Sequence, residues 1–221
     1  MFQPPHRFIG AILLVVALGG AAACQRAYYS VMERFGVPKR EILVNRVVEA
    51  RDAQEEAREQ FQSALERFQT VLGFDGGELE DKYNALNAEL KRSESRASAV
   101  HDRIDAVRDV AGALFAEWED ELDQYENADL RRRSERQLKE TRDRYQQLIT
   151  AMERAESRIE PVLKPLRDQV LFLKHNLNAR AIASLQEDLG EIQTDVDALI
   201  RELERAIAEA DAFIQQMETA E

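Results

Sequence analysis

Few residues in this chain could do chemistry together. The histidines are His6, His101 and His175, and Cys24 is the only cysteine. His101 and His175 stand far apart, with no HExxH pair and no second thiol, so no metal-ligand spacing appears. Gly76-Gly77 is followed by Glu78 and not by the Lys-Ser/Thr pair that a phosphate loop requires, and no Gly-x-Ser-x-Gly elbow is present. His101 and Asp105 fall at i, i+4, the spacing of an exposed helical contact. Carboxylates are abundant, but none sits in an apolar run that would raise its pKa for acid-base work. The sequence therefore predicts a protein without catalytic, cofactor or metal site.

Cys24 is the exception, because its surroundings give it a use. Residues 1–7 (MFQPPHR) carry Arg7 and no acid; the apolar run Phe8 to Leu18 follows, then small residues up to Ala23. This run is shorter than the roughly twenty residues a spanning helix needs, so residues 1–23 read as a signal peptide. Ala21-Ala22-Ala23-Cys24 resembles a bacterial lipobox, with Ala21 where Leu is commonest. Cys24 is thus expected to carry lipid, and a lone thiol in an oxidising compartment is accounted for. Two other readings stay open: cleavage by the ordinary signal peptidase after the alanines, and an uncut leader serving as anchor. With Gln25 and not Asp after the cysteine, the expected location is the cell envelope, lipid-anchored with the domain in the periplasm, and the outer membrane over the inner. Residues 24–37 form a membrane-proximal segment in which Tyr28, Val31, Met32 and Phe35 make a short apolar face that rests on the bilayer or caps the domain.

The remaining elements must be helices. Past residue 23 only six glycines and three prolines punctuate nearly two hundred residues rich in Ala, Glu, Arg, Leu and Gln, too few turns for a β or α/β fold. The net charge is -12 with acids and bases interspersed, which argues against nucleic acid and against adhesion to anionic headgroups, and describes a solvated helical surface.

Apolar residues recur at alternating steps of four and three, the seam of a coiled coil. The first helix (38–73) carries Leu43, Val47, Ala50, Gln54, Ala57, Phe61, Ala64, Phe68 and Val71, and GFDGG ends it, Asp75 and Glu78 suiting a capping box. The second (78–126) runs from Leu79 through Leu90, Ser93, Val100, Ile104, Val107 and Trp118 to Tyr125. Asn127-Ala128-Asp129 then supplies a stop and a new N-cap. The third (129–178) keeps its phase from Leu138 to Leu177 across Pro161 and Pro165, with a kink expected at Glu160-Pro161. The fourth (182–219) restarts near Ile182 after a reversal placed at Asn176 to Ala181, because an unbroken helix would leave its seam wet. The expected fold is all-α, an elongated antiparallel coiled-coil bundle over residues 38–221.

Two local features stand out. Val170 to Leu173 (VLFL) is apolar in four successive positions, which predicts cover on more than one side, at the bundle centre or at an oligomer seam; nothing polar converges there to make a cofactor box. Arg131-Arg132-Arg133 opposes the dipole in the first turn of the third helix; pairing with Glu117, Glu119, Asp120 and Glu121 of the second is its expected role, and docking of an anionic partner is the alternative.

From Trp118 onward, WEDELDQYENADLRRRSERQLKETRDRYQQLITAMERAE and then PVLKPLRDQVLFLKHNLNARAIASLQ resemble a family of bacterial envelope lipoproteins known as a domain of unknown function. The resemblance extends over about Cys24 to Leu189 and is densest in QVLFLKHNLNARAIASL. It implies export and lipidation and no activity, and it singles out Lys174, His175, Asn176 and Asn178 as a polar interaction patch. The expectation is a structural or scaffolding lipoprotein bound to the membrane by lipid and to an envelope protein by its bundle, a homo-oligomer being open. The alternative is a periplasmic sensor that switches packing about Pro161/Pro165.

Overall fold

In the computed structural model the described residues are 38–73, 79–176 and 179–219, with the backbone alone described for 72–73 and 179–188. They form five α-helices: α1 (Lys39–Gly73), α2 (Leu79–Leu122), α3 (Ala128–Ser157), α4 (Ile159–His175) and α5 (Ala179–Thr219). The leader, Cys24, the segment 24–37, the capping box at Asp75/Glu78, Leu177 and Asn178 lie outside the described residues.

The seam explains why these helices pack. All nine α1 positions that the heptad selects, from Leu43 to Val71, are buried, as are Leu86, Leu90, Ser93, Val100, Ile104, Val107, Ala111 and Leu114 of α2. Leu138, Leu148, Met152, Ala155, Ile159, Val162, Leu166, Val170 and Leu173 continue the core along α3 and α4, and Ile192 to Met217 along α5. Each large apolar side chain removed from water contributes about 1.5–3 kcal/mol, so this stripe dominates the fold.

Ion pairs along the helix edges record the topology. Lys39–Glu117 (2.9 Å) and Glu49–Arg103 (2.7 Å) run α1 against α2. Arg51–Asp211 (3.0 Å) and a hydrogen bond from Gln69 to Gln193 (3.5 Å) run α1 against α5, and Arg108–Glu153 (2.9 Å) runs α2 against α3. Every neighbouring pair is antiparallel, so a hairpin separates α4 from α5, as the reversal at Asn176 to Ala181 requires. α1, α2, the α3–α4 column and α5 make four columns of a bundle about 66 Å long, the span of α2 at 1.5 Å per residue.

The third predicted helix is two helices in one line. The break falls at Arg158 and not at Glu160-Pro161, because proline removes the donor to the carbonyl four residues earlier, and Pro161 thereby releases Ser157. Arg158 stays in the right-handed helical region (φ -86, ψ -12) and its N–H reaches Ala155 O at 3.1 Å. The bend is shallow. From Arg108–Glu153 to Glu94–Arg167 (2.9 Å), a step of 14 residues back along α2 matches one of 14 forward through both prolines. Two heptads thus cross the break without a slip.

α2 ends at Leu122, four residues short of expectation. Glu119, Asp120, Glu121 and Asp123 crowd its C-terminus, where the dipole disfavours acids, and its last turn has no base. Asn127 then caps α3, its Oδ1 accepting from the N–H groups of Asp129 (2.8 Å) and Leu130 (3.2 Å).

Candidate functional site

The bundle has two unlike ends. At the near end, where Pro38 leads into α1, lie the α2–α3 turn and the close of α5. At the far end lie the close of α1, the start of α2 and the close of α4.

The far end holds the polar residues singled out from the sequence. Lys174 and His175 are exposed in the last turn of α4, where positive charge suits the dipole. Asn176 follows the helix, and its Nδ2 donates to Phe172 O at 3.0 Å, so this side chain closes a helix end. Beside them the VLFL turn divides: Val170 and Leu173 are buried, whereas Leu171 is 55% and Phe172 44% exposed. The expected cover at the bundle centre is not there. α4 offers a narrow apolar stripe to α2 and α5, and two successive residues near 100° apart cannot both join it.

The near end holds a site that sequence reasoning missed. Arg40 of α1, Arg133, Arg136, Glu140 and Arg144 of α3, and Phe213 and Met217 of α5 line a cleft of about 410 Å3 whose wall includes Trp118. The indole N–H of Trp118 donates to Ser134 Oγ at 2.8 Å and fixes the ring. Arg40 donates to the backbone oxygen of Met217, which satisfies a carbonyl at the end of α5. Among the described residues Arg133, Arg136 and Arg144 make no ion pair. The expected pairing of the arginine run is corrected accordingly: Arg131 bonds Asp123 (3.0 Å) and Glu135 (3.2 Å), Arg132 bonds Asp129, and Arg133 turns to the cleft. Glu117 and Glu119 are taken by Lys39 and Arg142. A signal was available, since residues 133, 136, 140 and 144 lie on one face of a helix.

Between the ends, His101 proves to be more than half of a pair. Its Nδ1 lies 2.6 Å from Glu156 Oε1 on α3 and its Nε2 3.4 Å from Asp105 Oδ2. The hydrogen bond to Glu156, then the charges of Asp105 and Glu156, hold the imidazole above its ordinary value. Phe115 meets Tyr145 edge-on at 5.4 Å, and Arg142 lies 5.1 Å over its ring. Burial pushes the Tyr145 phenol up. Among the described residues no His, Cys, Asp and Glu group is arranged to hold a metal ion, and no helix is long and apolar enough to cross a membrane.

Antiparallel columns, a heptad core and ion-paired edges define the class: an all-α elongated helical bundle. The chain belongs to the family described as "Protein of unknown function (DUF2959)", which matches residues 28–217. The match runs past Leu189 to the last turn of α5, further than the sequence resemblance reached. No curated protein and no solved structure matches the chain.

Proposed function

We propose that this chain is a non-catalytic envelope lipoprotein, tethered through Cys24, that holds a stiff coiled-coil bundle away from the membrane for contact with another envelope protein. The observation that carries this reading is the pair Leu171 and Phe172, left on the surface at the end of the bundle opposite Pro38. An anchor at one end and exposed apolar side chains toward the other, about 40 Å along the axis at 1.5 Å per residue from the level of Lys39–Glu117 past that of Arg167–Glu94 to Phe172, suit a spacer with a docking tip. The leader, the alanines before Cys24 and Gln25 support outer-membrane lipidation. The unbroken register across Pro161 and Pro165 favours a rod over a packing switch.

A photo-crosslinking residue at position 172 in intact cells tests the tip. The expected product is an adduct with a different envelope protein, not formed from position 102. No adduct, or a product that is a second copy of this chain, overturns the scaffold reading. The tether has its own test: Cys24→Ser should leave the membrane fraction, and a variant that stays processed and membrane-bound removes the lipid from the account.

A further inference from the structure

We propose that the near-end cleft binds the phosphate of an anionic phospholipid headgroup. Its walls carry four guanidiniums and one carboxylate, a local charge of about +3 on a chain of -12. Arginine is always protonated here, so the four charges repel one another unless an anion enters. Many arginines elsewhere on the surface are matched with acids: Arg51, Arg103, Arg108, Arg131, Arg142 and Arg167 all reach carboxylates. Arg133, Arg136 and Arg144 make no ion pair among the described residues, and what sets them apart from Arg67, Arg154, Arg158 and Arg201, which also make none, is that they converge with Arg40 on one concavity.

The cleft volume, about 410 Å3, falls in the range of small-ligand sites. Planar guanidinium forks match phosphate oxygens bidentately, and Trp118, Phe213 and Met217 give the inner wall an apolar character that suits the glycerol end of a lipid. Position selects the source of the phosphate. The cleft opens at the end of the bundle where the segment after Cys24 joins α1, so the lipid assignment rests on the tethered reading above.

Trp118 is the only tryptophan, so its fluorescence reports on this cleft directly. The full chain in a nonionic detergent is titrated with dihexanoyl-phosphatidylglycerol, dihexanoyl-phosphatidylcholine and inorganic phosphate. A saturable change is expected with the first, at least about tenfold weaker with the other two. Arg136→Gln/Arg144→Gln should weaken it by about tenfold or more, each lost charged hydrogen bond being enough for that. Both side chains are exposed, so folding is not at risk. Arg154→Gln, at the other end of α3, should titrate as the parent.

No saturable change overturns the proposal, as does equal binding of phosphatidylcholine. Equal binding of inorganic phosphate assigns the cleft to the free ion and overturns the lipid. A loss in Arg154→Gln equal to that of the double variant reduces the effect to general charge. Fractionation of Cys24→Ser reads the tether alone, so failure of the cleft and failure of the tether are told apart.

Discussion

The middle of the bundle and its ends obey different rules. Around Ile104 the heptad assigns each side chain to its place: Val100, Ile104 and Val107 are all fully buried. At the ends the same periodicity fails. Tyr125 continues the repeat by count, yet α2 stops at Leu122 and leaves it 41% exposed; Leu171 and Phe172 belong to an apolar run and face water. A repeat specifies structure only where a neighbouring column stands opposite it, and at the ends capping, dipole and net charge decide instead. The ends are accordingly free to present side chains, an apolar pair at one and unpaired arginines at the other.

The largest effect should come from the middle. Ile104→Ala removes a side chain with no exposure and should cost roughly 2 to 5 kcal/mol in chemical denaturation of the chain. Asp102→Ala, exposed two residues earlier, should stay within about 0.5 kcal/mol. If Asp102→Ala were the more damaging, the middle would not be governed by the seam and the contrast with the ends would collapse.

Gln54 sharpens the same point from the opposite direction. It occupies a seam position of α1 with no exposure, and neither its Nε2 nor its Oε1 has a partner among the described residues. An unmade buried amide carries a penalty of about 1–3 kcal/mol, so Gln54→Leu should raise stability by about that amount. A lower midpoint would mean that the amide is satisfied in solution by buried water.

The legible part of the sequence follows from these rules. Every α1 seam position was readable, Gln54 included, because a period of 3.5 needs only counting. Ile42, Ala53, Leu65, Val110, Phe115, Ile149, Leu163 and Ile214 are also buried, though off the counted seam. Each column touches two neighbours, so its apolar stripe must be wider than that of a two-stranded coil. The near-end cleft was hidden for a different reason. Its arginines come from α1 and α3 and its apolar wall from α2 and α5, and counting along one helix does not join them. The break at Arg158 was displaced from expectation by three residues from Pro161, because the lost hydrogen bond lies upstream of the proline.

His101 tests the flank of the middle, where charge and not burial joins α2 to α3. Glu156 and Asp105 raise its pKa in the folded chain above the ordinary value. The sign follows: its contribution is complete below about pH 6.5, the unfolded value, and is lost as pH rises through the folded one. The difference between parent and His101→Gln should therefore be small, largest in mild acid and gone in alkali. An imidazole titrating at or below about 6.5 by NMR would remove Glu156 as its partner in solution.

The smallest effect should be at Tyr125, where the counted repeat and the fold disagree most plainly. Were the repeat in command, Tyr125→Ala would resemble Ile104→Ala, since both stand on one seam three heptads apart. The structure places Tyr125 beyond the last turn of α2, with no hydrogen bond from its hydroxyl among the described residues and its ring 41% exposed. Truncation there removes little buried area, and the turn is held by Asn127, whose Oδ1 caps α3 independently of the ring. Tyr125→Ala should thus change stability by no more than about 0.5 kcal/mol. A loss above about 2 kcal/mol would mean that α2 continues past Leu122 in solution and carries Tyr125 into the core. The near end would then be an extension of the seam, and the acidic crowding that stops α2 would not be what sets it apart.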